Sequence, residues 1–155
     1  MTVICISGTP CTGKTTLAKK LSKQFIYEYI DVNKLIKDNK LDEKYDRKKR
    51  CYVVDVKKLN KLLIKLVQTK KNLVIDSHLS HYLPKKYVDL CIITKCNLKT
   101  LEKRLKKRKY NKSKIRENLD CEIFDICLNE AKENKHKVLK VDTSKKVNVK
   151  NIRIK

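Results

Sequence analysis

A chain of 155 residues suffices for one domain, and at this size roughly 70% of the surface exposed when unfolded is buried on folding. With 41% hydrophobic residues, two Gly, two Pro and no apolar run near the roughly 18 residues of a membrane span, the composition excludes collagen-like, Pro/Gly-rich disordered and helical membrane classes. Lys plus Arg number 40 against 17 acids, a formal charge of +23 that suits a polyanion-facing surface, a solvated lysine coat, or both.

Arginine occupies only positions 47, 50, 104, 108, 116 and 153, and the other cations are lysines spread along the whole chain. Bidentate phosphate and base readers favour Arg, so the lysine excess alone does not select nucleic acid. Cysteines at 5, 11, 51, 91, 96, 121 and 127 are odd in number and never spaced as CxxC, which argues against a zinc framework or redox pair. Cys5 and Cys91 sit in apolar runs and Cys127 on the apolar side of a helical pattern, the places of core thiols. Met1–Cys5 lacks a basic region followed by a long apolar run, so no signal peptide is expected, and a reducing, cytoplasmic setting follows.

In chain order, Thr2–Ser7 (TVICIS) is a β-branched apolar run ending at Gly8, the pattern of a buried strand. From Gly13, Leu17, Leu21 and Phe25 recur every four residues, one face of a helix. Tyr29–Val32 reads as a short strand or turn and Leu35–Leu41 as a short helix. Asp42–Arg50 is polar without periodicity, a loop or insertion. Asp55 is a helix N-cap ahead of Leu59, Leu62, Leu63, Leu66 and Val67. Asn72–Asp76 and Val88–Thr94 predict two further buried strands. Asn97 caps a helix carrying Leu98, Leu101 and Leu105. Beyond the basic segment Arg104–Asn111, Ser113 caps one long helix through Leu128, and Val138–Val141 is a last strand before a short tail. Strands alternating with helices over short connections predict one α/β domain over residues 1–155, its parallel sheet covered on both faces.

Gly8-Thr9-Pro10-Cys11-Thr12-Gly13-Lys14-Thr15 completes G-x-x-x-x-G-K-[ST] between a predicted strand and a predicted helix. Glycines allow the tight turn, so backbone N–H groups and the helix N-terminus converge on phosphate oxygens. Lys14 reaches the β- and γ-phosphates and Thr15 offers a hydroxyl to Mg²⁺. Asp76, ending NLVID, is a second metal-holding candidate, with a turn-capping Asp as the plainer reading. His78 would then stand near the γ-phosphate, placed to orient water, although a loop His is more often a surface residue. Arg104 and Arg108, four apart, share a helix face and suit the charge of a transferred phosphoryl group, or simply a solvated basic helix end.

GTPCTGKTTLAKKL, VIDSHLSHYLP and LEKRLKKRKYNKSKIRENLDCEIFDICLNEA together resemble the adenylate kinase isoenzyme 6 family, which includes the coilin-interacting nuclear ATPase and archaeal relatives, from Thr2 to about Thr143. The resemblance implies a P-loop nucleoside monophosphate kinase fold: three α/β/α layers, a five-stranded parallel sheet, a monophosphate-binding part over about 31–54 and a short lid over about 108–118. It places ATP contacts on Gly8, Cys11, Thr12, Gly13, Lys14, Thr15, Thr16 and Arg108, and substrate contacts on Asp31, Asn33 and Lys37. Catalysis falls to Lys14, Asp76, His78, Arg104 and Arg108, and Mg²⁺ to Thr15 and Asp76. The implied activity is adenylate kinase (ATP + AMP giving two ADP, with a broader acceptor range open) together with ATP hydrolysis. The implied role is late small-subunit maturation and 16S rRNA 3′ processing, through transient binding of ribosomal protein uS11 and the pre-30S particle, released on hydrolysis.

An ATPase switch with little kinase activity, or another small-metabolite P-loop kinase, are the alternatives. Neither a membrane nor sequence-specific nucleic-acid binding is expected, since aromatics are only 6% and no aromatic-rich basic strand offers to stack bases. Three positions depart from the family pattern. Cys11 replaces a loop glycine, Lys109 a lid glycine, and Lys37 an Arg whose fork would grip the acceptor phosphate.

Overall fold

Val3–Ser7 forms the central strand β1, every residue of it buried, as a continuous apolar run requires when both sheet faces are covered. The computed structural model describes residues 1–48 and 51–154, with backbone alone at 43, 51 and 52; Arg50, the end of the predicted polar loop, and Lys155, the end of the tail, lie outside the described residues. After β1 come α1 (Lys14–Phe25), β2 (Glu28–Asp31), α2 (Val32–Asp38), β3 (Asp42–Asp46), β4 (Cys51–Val54) and α3 (Val56–Thr69). Then follow β5 (Leu73–Asp76), β6 (Leu90–Lys95), α4 (Leu98–Lys107), α5 (Lys112–Ile123), α6 (Ile126–Glu133) and β7 (Val138–Asp142).

The expected five-stranded parallel sheet is present, in the order β2-β5-β1-β6-β7. Period-two alternation assigns its two faces. Val3, Cys5, Leu73, Ile75, Cys91 and Ile93 pack with Leu59, Leu63 and Val67 of α3 and Leu128 and Ala131 of α6. Ile4, Ile6, Val74, Leu90 and Ile92 pack with Leu17, Ala18 and Leu21 of α1. Each fully buried Leu among these contributes about 2 kcal/mol. A third cluster, Cys96, Leu101, Leu105 and Ile115, joins α4 to α5.

Asp55 and Asn97 cap α3 and α4 as expected, accepting from Lys57 and Lys58, and from Thr100. Three local readings are corrected. The polar stretch from Asp42 is not a loop throughout: β3 pairs antiparallel with β4, because alternating Asp42, Lys44 and Asp46 can lie along a solvated ribbon without any apolar period. The cap of α5 is Asn111, which accepts from the Lys114 N–H at 2.8 Å, and not Ser113. The long helix breaks at Phe124–Asp125, where Asp125 takes a left-handed φ of 52°. Lys95 at the end of β6 secures that corner by pairing with Glu122 at 2.5 Å and Asp125 at 2.6 Å. The tail after Thr143 also packs: Ile152 is buried against the α1 face of the sheet, with Val147, Val149 and Ile154 beside it.

Candidate active site

The loop between β1 and α1 is shaped by its glycines. Gly8 has φ +146°, and a Cβ there would lie 2.4 Å from Thr94 Oγ1 and 2.8 Å from the Thr94 carbonyl, so sterics and backbone conformation both demand glycine. Gly13 is left-handed at φ +82° where α1 begins. Cys11, which carries a side chain, is left-handed as well, at φ +66°. The Thr12 hydroxyl bonds the Thr9 carbonyl and the Thr94 hydroxyl, each at 2.6 Å, which locks the loop from behind. Gly8 and Thr12 therefore build the loop, whereas Cys11, Gly13, Lys14, Thr15 and Thr16 face open space.

Lys14 donates to the Gly8 and Thr9 carbonyls, both at 2.9 Å, which folds its ammonium over the loop mouth. Burial lowers its pKa, opposed by the Cys127 thiol and by Asp76. The Thr15 hydroxyl donates to Oδ2 of Asp76 at 2.7 Å, bringing together the two predicted metal-holding residues. Asp76 is 6% exposed at the end of β5, beside β1 in the sheet. The Tyr29 hydroxyl, which sequence reasoning did not single out, donates to the same oxygen at 2.9 Å.

His78 opens onto the cleft but is ringed by protein; desolvation, then the charges of Lys14 and His81, pull its pKa to about 4. At neutral pH it is an uncharged imidazole, able to orient water or accept a proton but not to neutralise phosphate. Its loop is anchored by a buried relay that the sequence did not reveal. His81 Nδ1 bonds the Ser7 hydroxyl at 2.7 Å, and its Nε2 bonds Glu130 of α6 at 2.8 Å. His136 Nε2 donates to the His81 carbonyl at 2.8 Å. Burial lowers the His81 pKa, with Glu130 opposing.

Two cavities meet at the loop. One, of about 680 Å³, is bordered by Lys14, Thr15, Asp76, His78, Asn33 and Arg108. The other, of about 590 Å³, is bordered by Gly13, Thr16, Arg104, Arg108 and the strap after β7. Arg108 borders both, and Arg104 only the second, away from Asp76 and His78. Of the predicted substrate residues, Asn33 lines the first cavity. Asp31 instead caps α2 by accepting from the Lys34 N–H at 3.2 Å, and Lys37 is exposed on α2 outside the lining. Cys127, expected in the core, lines the cleft with Cys11 and Cys121. Among the described residues no cluster of three or more His, Cys, Asp or Glu could hold a metal. The Thr15 hydroxyl and Asp76 carboxylate do fit Mg²⁺, a hard cation that takes one or two protein oxygens and completes its shell with phosphates and water.

A glycine loop at the carboxyl end of a parallel strand, with a carboxylate supplied by the adjacent strand, is the architecture of a P-loop kinase. Solved structures agree on the fold. Shikimate kinase from Acinetobacter baumannii superposes with TM-score 0.63 at 13% identity, covering 91% of this chain and 84% of that one. Deoxyadenosine kinase from M. mycoides with bound dATP superposes with TM-score 0.57 at 18% identity, covering 95% and 93%. Residues 4–125 match the family described as AAA domain. A Methanocaldococcus jannaschii protein provisionally named an adenylate kinase is 37% identical over 141 residues, 91% of this chain and 76% of its own length. The adenylate kinase isoenzyme 6 homolog of Dictyostelium discoideum is 37% identical over 129 residues, 83% of this chain and 73% of its own. The chain belongs to the adenylate kinase isoenzyme 6 family, as its motifs imply, and is a nucleotide kinase.

Proposed function

We propose that this kinase transfers the γ-phosphoryl group of ATP to AMP or a related nucleoside monophosphate. The observation that carries this reading is the Thr15–Asp76 pair beside Lys14, where two cavities meet under Arg108. The donor nucleoside fits the cavity beside Gly13, Thr16 and Arg104, and the acceptor fits the cleft beside Asn33. The loop amides and Lys14 hold the triphosphate, and Arg108 offers a guanidinium to the charge passing between the two sites. The attacking phosphate oxygen is already ionised, so the reaction needs alignment and charge compensation in place of a dedicated base. Mg²⁺, which Thr15 and Asp76 would hold, supplies neutralisation of the phosphate oxygens when bound. Asp31 and Lys37 would form the outer wall of the monophosphate-binding part over about 31–54, and residues 108–118 the lid. Coupled measurement of ADP from ATP plus AMP tests this; ATP binding with no acceptor turnover would reject it.

A second reading is favoured by the neutral His78 at the cleft, suited to orienting water for ATP hydrolysis. On this reading the protein is a cytoplasmic ribosome-maturation ATPase acting in 16S rRNA 3′ processing. It would hold uS11 transiently at the pre-30S particle and let go on hydrolysis, the role that the motif resemblance implies, and the +23 charge suits a ribonucleoprotein setting. Recovery of a small-subunit ribosomal protein from lysate that depends on a non-hydrolysable ATP analogue is expected, and recovery indifferent to nucleotide would count against it.

A further inference from the structure

We propose that Tyr29 is a positioning residue for the metal-holding carboxylate, an inference that rests on the reading that Thr15 and Asp76 hold Mg²⁺. Its phenol hydroxyl and the Thr15 hydroxyl converge on one oxygen of Asp76, Oδ2, at 2.9 and 2.7 Å. A carboxylate held by one donor can swing about its Cβ–Cγ bond, whereas two donors arriving from different elements fix its plane. Thr15 comes from α1 and Tyr29 from the edge strand β2, so the carboxylate of β5 is clamped between its neighbours. The clamp commits Oδ2 and leaves Oδ1 as the oxygen available to a cation or its water. It also orients Thr15: a hydroxyl whose proton is spent on Asp76 turns its lone pairs away from the carboxylate.

The position of Tyr29 gives the contact a second consequence. The sheet register sets Asp31 opposite Asp76 with Tyr29 two residues before it, and the chain then runs directly into α2, whose Asn33 lines the acceptor side of the cleft. Among the described residues, Tyr29 thus supplies the one side-chain hydrogen bond joining the acceptor-side segment to the metal-holding carboxylate. The plainer role is packing: the ring lies half-buried beside the α1 core, with Lys19 Nζ 5.7 Å from its centroid. Phenylalanine would serve packing equally well, which separates the two roles.

The test uses the full chain and Mn²⁺ as the metal probe. Mn²⁺ is titrated by electron paramagnetic resonance against wild type, Tyr29→Phe and Tyr27→Phe, each with a non-hydrolysable ATP analogue. Tyr27, whose ring packs 5.8 Å from that of Phe25, is the control for losing a tyrosine hydroxyl nearby. Tyr29→Phe is expected to weaken Mn²⁺ binding about fivefold to tenfold, with metal-free analogue affinity unchanged within about twofold and wild-type activity regained at high Mg²⁺. Tyr27→Phe is expected to match wild type. Wild-type Mn²⁺ affinity in Tyr29→Phe would overturn the proposal, and so would an equal loss of metal-free analogue binding, which would signal general loosening. If wild type with analogue binds Mn²⁺ no more tightly than the analogue alone, the metal reading of Thr15 and Asp76 fails first and takes this inference with it.

Discussion

The Arg104 guanidinium donates at 2.6 Å to the main-chain oxygen of Thr143, 39 positions along the chain, while its other amino nitrogen lies 3.5 Å from Cys96 Sγ. Thr143 in turn donates its hydroxyl to the Thr12 carbonyl, so helix α4, the strap after β7 and the glycine loop form one connected wall. Removing Arg104 strands a partly buried carbonyl. Arg104→Ala is expected to lower unfolding free energy by about 2 kcal/mol and to raise the ATP KM several-fold, with kcat little changed. Arg108, exposed where the cavities meet, is expected to behave in the opposite way: Arg108→Ala lowers kcat about 100-fold and changes stability by less than about 0.5 kcal/mol. Urea unfolding and steady-state kinetics on both variants decide the assignment.

His78→Ala is expected to slow ATP hydrolysis by roughly 10- to 100-fold while ATP affinity stays within about twofold, because the ring borders the cleft whereas the proposed hold on the triphosphate lies with the loop amides. Parallel turnover and equilibrium-binding measurements check this, and equal loss of both properties would remove His78 from its assigned place.

The same residue links stability to pH. Its pKa falls from 6.5 to about 4 on folding, so as pH drops the unfolded chain takes up that proton first. The contribution is complete above pH 6.5 and is lost between about 6.5 and 4. It should amount to about 1 kcal/mol, since water in the cleft screens the exposed ring. His78→Gln is expected to flatten the fall in stability between pH 7.5 and 4.5 by that amount, read from urea midpoints at constant ionic strength.

Lys14 is held against two loop carbonyls in a site where burial disfavours its charge. Lys14→Met keeps the length of the side chain and removes that cost. Thermal stability should change little, the removed cost of burying the charge offsetting the loss of a donor to the Gly8 and Thr9 carbonyls, while kcat/KM for ATP falls about 1,000-fold with the loss of charge at the phosphates. A fall in melting temperature together with retained turnover would contradict both halves.

Backbone conformation gives a graded series on the loop. Cys11 takes φ +66° and packs against the α4–α5 cluster. Cys11→Val, branched at Cβ, is expected to cost about 2 kcal/mol, whereas Cys11→Gly should stay within about 1 kcal/mol, relief of the left-handed strain offsetting lost contact. Gly8→Ala, whose Cβ would stand 2.4 Å from Thr94 Oγ1, should be the most damaging of the three in a thermal melt.

Strands, helices and the phosphate loop were legible residue by residue because each depends on near neighbours. Apolar residues run unbroken through β1, β5 and β6 and recur at helical spacing in α1 and α3, Asp55 and Asn97 cap within three residues, and the loop glycines take φ values set by the turn itself. Where local signals were weak or shared, reading failed: β3 hides its pairing in a charged ribbon, and the α5–α6 corner has an apolar repeat running straight through Phe124. The chemistry of the site belongs to a different scale. Thr15 meets Asp76 across 61 positions, Ser7 meets His81 across 74, and Arg104 meets Thr143 across 39. Those meetings follow from the strand order β2-β5-β1-β6-β7 and from crossovers that lay distant segments side by side. Spacing along a chain has no term for such proximity, so Tyr29 and Glu130, and the buried contacts of His81, came into view only once the sheet had assembled around them.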